Sequence, residues 1–298
     1  MNETIDKYIP RIREIRPGLD IAGITHNGEG LINEVFIVNN DIVFRFAKNE
    51  VGVKVLAAEI EILNLIRPHI ALNIPQPFYA GDDVIAYRLL AGETFSKGRL
   101  SHLNEADKQA IAGQLADFLR TLHTIPADET LPITSAPAHY EDWVKIRRDV
   151  EEKVYPLLMT HQVEWANDLF DQILSDSGNF NYTPCLIHGD LGPYHLLFNR
   201  DTHRLNAIID FGVSGLGDPA TDLGNLLQVY GESFVSRFYQ NYPQARRLMK
   251  RARFYAQAIE LQWALSGIAS GETFWFAAHL GGARDINRDS EFTNDANF

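Results

Sequence analysis

Two short apolar segments, each ended by an aspartate in a tight turn, constrain this chain more than any other feature. The first, CLIHGDLGPYHLLFN at residues 185–199, has the pattern of two short strands around the His-Gly-Asp triplet at 188–190. The second, RLNAIIDFGVSG, is a strand-like run that ends at Asp210 before a Phe-Gly pair. Glycine beside each aspartate favours a turn. We therefore expect both carboxylates at strand ends, facing one crevice.

Two carboxylates in one crevice are the arrangement that phosphoryl transfer requires. One of them, Asp190, can accept the proton of an attacking hydroxyl. The other, Asp210, can bind Mg²⁺, for which carboxylate oxygen is a normal ligand. His195 lies between them in the sequence and can contact the metal directly or through water. Either triplet alone is a weak signal, because Asp-Gly turns are common, but the ordered pair is far more specific.

Composition excludes several other classes of protein. The 298 residues are 45% hydrophobic, enough for about two domains with a sizeable core. The net charge is −12, which argues against a surface that follows nucleic-acid phosphates. Cys185 is the only cysteine, so no internal disulfide can form and a cytoplasmic location is expected. No run of about 18 apolar residues predicts a membrane span.

The pattern of elements changes near Gly92. Before it, residues 21–26, 33–38 and 41–46 have the pattern of strands, and residues 53–66 have apolar positions at helical spacing. A Gly-Asp-Asp turn then predicts a hairpin that leads to a connector. Beyond Leu100 the pattern is mainly helical. We predict an N-terminal lobe over residues 1–91 and a C-terminal lobe over 92–298.

With these motifs in place, the chain resembles the aminoglycoside phosphotransferase and antibiotic kinase family. The resemblance covers most of the chain and rests on CLIHGDLGPYHLLF, AIIDFGVSGLGDPATDLGNLL and IVFRFAK. It is nearest to the aminoglycoside 2''-phosphotransferase branch, and macrolide phosphotransferases share the histidine at 195. It implies an α+β, protein-kinase-like fold, with a small β-rich N-terminal lobe and a larger, mainly helical C-terminal lobe. It also implies Mg²⁺-dependent transfer of the γ-phosphoryl group of ATP or GTP to an acceptor hydroxyl.

The resemblance assigns a role to each matching residue. Asp190 would be catalytic, and His195 and Asp210 would bind the metal. The nucleotide would be bound by Gly28, Gly30, Arg45, Glu59, Tyr87, Arg88, Leu89 and Leu90, the last four as the interdomain connector. Arg45 stands where the protein-kinase pattern has lysine. Lys48 is the rival for this role, but Arg45 and Lys48 face opposite sides of an alternating strand, so we prefer Arg45. Tyr87 would limit the depth of the purine pocket, and its bulk favours guanine over adenine.

The acceptor is less tightly defined than the reaction. Residues up to Gly92 carry a net charge of −3 and the remainder −9, which suits a cationic aminoglycoside. The residues expected to contact the acceptor are Asp190, Glu232, Trp263 and Trp275. Val213 stands where the aminoglycoside branch tends to carry an acid, so a macrolide or a housekeeping sugar or amino alcohol is an open alternative. A catalytically decayed nucleotide-binding protein is a further one. We expect no nucleic-acid or membrane partner, and a monomer or weak dimer.

Four other features have structural interpretations. His188 is expected to be a buried scaffold residue of the catalytic turn, the His-Gly-Asp triplet at residues 188–190. Asp218 would open an Asp-Pro turn, and Asp222 would be the N-cap of a helix. The basic residues within 246–253 would form a solvated helix face.

Overall fold

The computed structural model describes residues 3–28, 32–126, 131–132 and 136–271. The small N-terminal lobe contains, in chain order, α1 (Glu3–Ile15), β1 (Ile24–Asn27), β2 (Asn33–Val38), β3 (Ile42–Ala47), α2 (Glu50–Ile66), β4 (Pro77–Ala80) and β5 (Val84–Arg88). The predicted strands are all present, with β2 at its predicted bounds. The hairpin expected from the Gly-Asp-Asp turn is formed by β4 and β5.

The five strands form one antiparallel sheet in the order β1-β2-β3-β5-β4. The central strand, β3, is buried along nearly its whole length because both faces of the sheet are covered. Phe44 and Phe46 point to the outer face, where they pack in a cluster with Ile12 of α1. Val43 points to the inner face and packs with Leu56 of α2. The sequence analysis did not predict α1, so the second covered face was not foreseen.

Helix α2 starts three residues before its predicted position. The side chain of Asn49 accepts a hydrogen bond from the backbone N–H of Gly52 at 3.0 Å, which caps the first turn. Glu59 lies on the buried face of this helix, fully enclosed, as its place beside the apolar stripe indicated. The cap therefore fixes where the helix begins, and the stripe fixes which way Glu59 points.

The larger lobe is mainly helical. It contains β6 (Glu93–Thr94), α3 (Lys97–Ser101), α4 (Glu105–Leu122), α5 (Tyr140–Lys153), α6 (Thr160–Leu174), β7 (Cys185–Ile187), β8 (Leu196–Asn199), β9 (Arg204–Ile208), β10 (Gly215–Gly217), α7 (Ala220–Tyr230), α8 (Glu232–Val235) and α9 (Met249–Ser270). Short 3₁₀ turns lie at Tyr155–Leu157, Ser177–Phe180, Pro193–His195, Ser236–Gln240 and Pro243–Leu248. Among the described residues, no helix is long and apolar enough to cross a membrane.

Two small antiparallel sheets carry the predicted turns within this helical lobe. β7 pairs with β10, and β8 pairs with both β6 and β9. The lobe thus places the His-Gly-Asp turn after β7 and the Asp-Phe-Gly turn after β9. The boundary predicted at residues 91 and 92 stays a prediction. At that point Gly92 has φ of 135°, and a Cβ there would lie 2.9 Å from the Cβ of Leu197, so the chain requires glycine.

The solvated face predicted for the basic residues within 246–253 is wrong for two of them. Arg253 is 4% exposed and pairs with Glu232. Arg251 donates two hydrogen bonds to the buried carboxylate of Asp218, at 2.5 and 3.1 Å. Helix α9 is packed against α7 inside the lobe. Long-range pairing of this kind is not visible in a run of charges.

Candidate active site

The two predicted turns are joined by backbone contacts. The carbonyl oxygen of His195 accepts from the backbone N–H of Ile209 at 3.0 Å, which ties the turn after β7 to the turn after β9. Asp210 has a φ of 65°, a conformation that costs free energy in any residue with a side chain. Such strain persists only where surrounding contacts hold it, and it is concentrated at functional sites.

The imidazole of His195 lies between the two aspartates. Its Nδ1 is 2.7 Å from the carbonyl oxygen of Asp190 and 3.8 Å from Oδ2 of the same residue. Its Nε2 is 3.5 Å from Oδ2 of Asp210. The side chain of Asp190 is 60% exposed, so its carboxylate is open to an incoming molecule. The three residues predicted for catalysis and metal binding therefore form one cluster.

This cluster has room for a divalent cation. A carbonyl oxygen only accepts hydrogen bonds, so Nδ1 of His195 donates to the carbonyl oxygen of Asp190, and in that tautomer Nε2 presents a lone pair. Nε2 of His195 lies 3.5 Å from Oδ2 of Asp210. Two atoms that bind one octahedral Mg²⁺ at adjacent positions lie about 3 Å apart, a similar separation. No group of three His, Cys, Asp or Glu side chains in the described part of the chain forms a complete metal site. Mg²⁺ usually keeps water and phosphate oxygens as further ligands, so the residues present fit it.

Arg45 connects this cluster to the small lobe. Its Nη1 donates to Oε1 of Glu59 at 2.7 Å, and its Nη2 lies 3.4 Å from Oδ1 of Asp210. Burial alone would lower the pKa of Arg45, but the charges around it, that of Glu59 foremost, together outweigh burial and raise it. Lys48, the rival, instead contacts the carbonyl oxygen of Gly28. Of the two basic residues, Arg45 is the one that reaches Glu59 and Asp210.

The two acidic partners of Arg45 have pKa values that are shifted in opposite directions. Burial raises the pKa of Glu59, although Arg45 partly opposes the rise. Burial would also raise the pKa of Asp210, but Arg45 and the smaller contributions of neighbouring groups together overcome that effect, and the pKa is lowered. Asp210 is thus held as a carboxylate, the form that binds a cation.

Two further side chains border the guanidinium of Arg45. With its amide oxygen turned toward Arg45, Asn33 accepts from Nη2 at 3.0 Å. Tyr87 is 7% exposed and lies on the same face of the sheet, and burial raises its pKa to about 12. The phenol therefore stays neutral. Its ring occupies the cleft side of β5, the place predicted for a residue that limits pocket depth.

The rest of the predicted connector is also located. Arg88 is exposed and pairs with Asp41. The backbone N–H of Leu89 donates to the carbonyl oxygen of Asp41 at 2.8 Å, so this N–H is already engaged. Leu90 follows, half-buried, before Gly92.

Asp222 supports the catalytic turn, a role the sequence analysis missed. The N-cap of α7 is Pro219, so the prediction that Asp222 is the N-cap is wrong. Asp222 is fully buried in the first turn of the helix. Its two oxygens accept from the backbone N–H groups of His188 and Gly189, at 3.0 and 2.8 Å, and from Nε2 of His123 at 3.1 Å. The only sequence signal was an aspartate at a buried position of an apolar helix.

His188 is buried, as expected for a scaffold residue. Its Nε2 donates to the carbonyl oxygen of Ile209, at 3.2 Å, and its Nδ1 accepts from the backbone N–H of Asp190, at 3.3 Å. Burial lowers its pKa, although the charge of Asp222 partly opposes the effect, so the ring is neutral. It therefore ties the catalytic turn to the strand that precedes Asp210.

The predicted acceptor residues are more scattered. Glu232 is engaged by Arg253, whose Nε and Nη2 lie 2.5 and 3.2 Å from its two oxygens. Trp263 is half-buried on α9. Trp275 and the nucleotide-loop residue Gly30 lie outside the described residues. A role in acceptor binding stays a prediction for each of these tryptophans and for Glu232.

A small β-rich lobe, a helical lobe and an Asp-His-Asp cluster reached by a buried Arg-Glu pair define a kinase-like phosphotransferase. The APH phosphotransferase enzyme family model matches residues 23–255, and the chain belongs to this family. The protein is accordingly an enzyme that transfers a phosphoryl group to an alcohol. The α+β two-lobe fold predicted from the sequence is confirmed.

Individual relatives agree with this assignment. The GDP and kanamycin complex of APH(2")-IIIa is 27% identical, covers 92% of this chain and 96% of its own, and superposes with a TM-score of 0.82. Viomycin phosphotransferase of Streptomyces vinaceus is 24% identical over 243 residues, 78% of this chain and 82% of its own length. Macrolide 2'-phosphotransferase type I is 21% identical with a TM-score of 0.71, covers 96% of this chain and 97% of its own, and shows the fold alone.

Proposed function

We propose that this protein transfers the γ-phosphoryl group of a purine nucleoside triphosphate to a hydroxyl of an aminoglycoside-type antibiotic. The observation that carries the proposal is the continuous line of contacts from Asp190 through His195, Asp210 and Arg45 to Glu59. A single cysteine suits the reducing cytoplasm as its place of action.

Each residue of this line has a definite task. Asp190, exposed at the end of its turn, orients the acceptor hydroxyl and takes its proton. Asp210 and His195 would hold Mg²⁺, which when bound neutralises charge on the donor phosphates. Arg45 adds a permanent positive charge beside Asp210 and is itself held in place by Glu59. Positioning and charge neutralisation are most of what phosphoryl transfer needs from a protein.

The donor is proposed to be a guanine nucleotide. Tyr87 is buried on the cleft side of β5, where its ring would shorten the space for a base. The structure of APH(2")-IIIa, the relative that is 27% identical, is a complex with GDP. We expect Tyr87→Ala to raise the ratio of kcat/KM with ATP to kcat/KM with GTP by about tenfold. This change corresponds to about 1.4 kcal/mol of transition-state stabilisation. Tyr87→Phe, which keeps the ring, is the control, and an unchanged ATP to GTP ratio in Tyr87→Ala would remove the steric argument.

An aminoglycoside is favoured as acceptor by charge and by one relative. The residues after Gly92 carry a net charge of −9, which attracts a polycation, and APH(2")-IIIa was captured with kanamycin. A less charged acceptor such as a macrolide is the second candidate. Two observations favour this second candidate. Arg253 pairs with Glu232 and neutralises its charge. Tyr194 and Val213, near the turns that carry Asp190 and Asp210, are 75% and 37% exposed and offer apolar surface.

A coupled nucleotide-consumption assay tests the proposal. The enzyme is given Mg²⁺, GTP or ATP, and aminoglycosides, macrolides, viomycin or simple sugar and amino alcohols in turn. Turnover that depends on an aminoglycoside and is lost by several orders of magnitude in Asp190→Ala is the expected result. Turnover with another class alone would replace the aminoglycoside. An active Asp190→Ala variant would refute the role of Asp190.

A further inference from the structure

His123 ends α4 beside the buried carboxylate that supports the catalytic turn. Its Nε2 lies 3.1 Å from Oδ2 of Asp222, and its Nδ1 lies 3.0 Å from the hydroxyl of Tyr242. We propose that His123 is a positioning residue for phosphoryl transfer, which holds Asp222 in the orientation that fixes the turn carrying Asp190. The inference rests on the proposed function for the catalytic role of Asp190.

The catalytic turn is held by side chains because it lies beyond the last paired residue of β7, Ile187. The backbone N–H groups of His188 and Gly189 donate to the carboxylate of Asp222, at 3.0 and 2.8 Å. The backbone N–H of Asp190 donates to the ring of His188 at 3.3 Å. Asp222 thus holds two of the three N–H groups of the turn, and a rotation of its carboxylate would move Asp190.

The carboxylate of Asp222 needs a third donor. A buried carboxylate costs free energy unless hydrogen bonds replace the water that it has lost. Burial would raise the pKa of Asp222, but the hydrogen bond from His123 foremost, together with its other neighbours, lowers it. His123 therefore keeps Asp222 in the form in which both oxygens accept from the catalytic turn.

Tyr242 fixes which nitrogen of His123 donates to Asp222. A carboxylate oxygen only accepts hydrogen bonds, so Nε2 carries a proton, and in that tautomer Nδ1 presents a lone pair to the hydroxyl of Tyr242. Burial foremost raises the pKa of Tyr242, so the hydroxyl keeps the proton that it donates. The two rings lie edge to face with 5.8 Å between centroids. The imidazole is thus held on both sides.

Both ends of this arrangement are anchored in the larger lobe. The backbone N–H of His123 donates to the carbonyl oxygen of Leu119, at 2.9 Å, on the buried face of α4. The side chain of His123 is only 3% exposed. The backbone N–H of Tyr242 donates to the carbonyl oxygen of Phe238, at 2.7 Å. The contacts therefore connect two packed segments of the lobe to the catalytic turn.

The first experiment measures hydrogen exchange in the nucleotide-free enzyme and needs no acceptor. His123→Gln places an amide N–H near the position of Nε2, whereas His123→Asn is one bond shorter and keeps a polar group near Nδ1 alone. We expect exchange in peptides that cover residues 187–191 to speed up at least about tenfold in His123→Asn, as loss of a hydrogen bond to a charged group would, and less than about threefold in His123→Gln. Equal exchange rates in the two variants would overturn the proposal.

A control separates this local effect from a loss of global stability. Phe170 is fully buried on α6, and Phe170→Leu lowers stability by a change in packing. Urea denaturation measures the stability of each variant. We expect Phe170→Leu to leave exchange at residues 187–191 unchanged relative to the rest of the chain. Selective acceleration there in Phe170→Leu would show that the turn responds to any loss of stability, and would overturn the proposal.

The second experiment separates positioning from substrate binding. We expect His123→Asn to lower kcat at least about tenfold, because a small displacement of Asp190 misaligns the acceptor hydroxyl. KM for the nucleotide and for the acceptor should stay within about twofold, and His123→Gln should retain most of the wild-type kcat. Higher KM values with an unchanged kcat would overturn the proposal. An active Asp190→Ala variant would instead refute the proposed function, and the exchange rates would still decide whether His123 holds the turn.

Discussion

Burial raises the pKa of the Cys185 thiol to about 12, and the nearby carboxylates of Asp222 and Asp218 add to the rise. The thiolate is the reactive form, and its fraction falls about tenfold for each pKa unit. We expect iodoacetamide at pH 8 to label the native protein at least about a hundredfold more slowly than the urea-unfolded protein. Because Cys185 is the only cysteine, mass spectrometry of the intact protein gives both rates. Similar rates in the two states would contradict the buried thiol.

Asp222 gives a second prediction at this scale. Asp222→Asn leaves one acceptor oxygen for the two backbone N–H groups of the catalytic turn. The amide NH2 group of the new side chain then faces one of these two donors. We expect the free energy of unfolding to fall by about 2–3 kcal/mol, because buried donors lose their partner. We also expect kcat to fall at least about tenfold, since a small displacement of the turn moves Asp190. The exposed Asp201→Asn is the control, and a variant as active as the wild type would contradict the anchoring role.

The pH dependence of stability follows from the same residue. Burial would raise the pKa of Asp222, but the hydrogen bond from His123 and the other contacts lower it. Its contribution is therefore present above the unfolded value of about 3.9 and is lost as pH falls through the lower, folded-state pKa. Urea titrations between pH 7 and acid pH should show a shallower loss of stability in Asp222→Asn than in the wild type.

At the scale of elements, α1 is the feature that the sequence analysis left out. Its charges are spread along the segment, so its buried stripe was not recognised, although Ile12 is fully buried over the outer face of the sheet. We expect Ile12→Ala to lower the free energy of unfolding by about 2–5 kcal/mol through the cavity it leaves. The neighbouring exposed Glu14→Ala should change it by less than about 0.5 kcal/mol. Equal effects in urea denaturation would contradict the packing of α1.

Strands and long helices were easier to predict than helix starts. The strand at 33–38, NEVFIV, ends in four consecutive apolar residues, three of them β-branched, and was predicted at its observed bounds because such a run is a local property. Helix α2 begins at Glu50 because Asn49 caps it, and the apolar pattern alone placed the start three residues later. Helix α7 begins at Ala220, two residues before Asp222, so Asp222 is not the N-cap. Its place in the sequence is explained by its buried contacts instead.

The Arg45–Glu59 pair joins the two lobes of the molecule. Oε1 of Glu59 also accepts from the backbone N–H of Phe211 in the larger lobe, at 3.3 Å, and Arg45 reaches Asp210 there. We expect Glu59→Gln and Arg45→Met each to destabilise the protein by about 3–5 kcal/mol, because each leaves a buried charge or acceptor without its partner. The double variant should lose less than the sum of the two. Additive losses in a double-mutant cycle by urea denaturation would contradict a direct interaction.

The sequence by itself determined the fold class, the family and the order of Asp190, His195 and Asp210, because strand periodicity and turn chemistry are set by neighbouring residues. The tertiary structure alone decided which distant groups meet. It paired Arg45 with Asp210 across 165 positions of sequence, Glu232 with Arg253, and Asp222 with the catalytic turn. These contacts arise when packed elements bring side chains together and burial requires each charge to find a partner, and no local pattern encodes that choice.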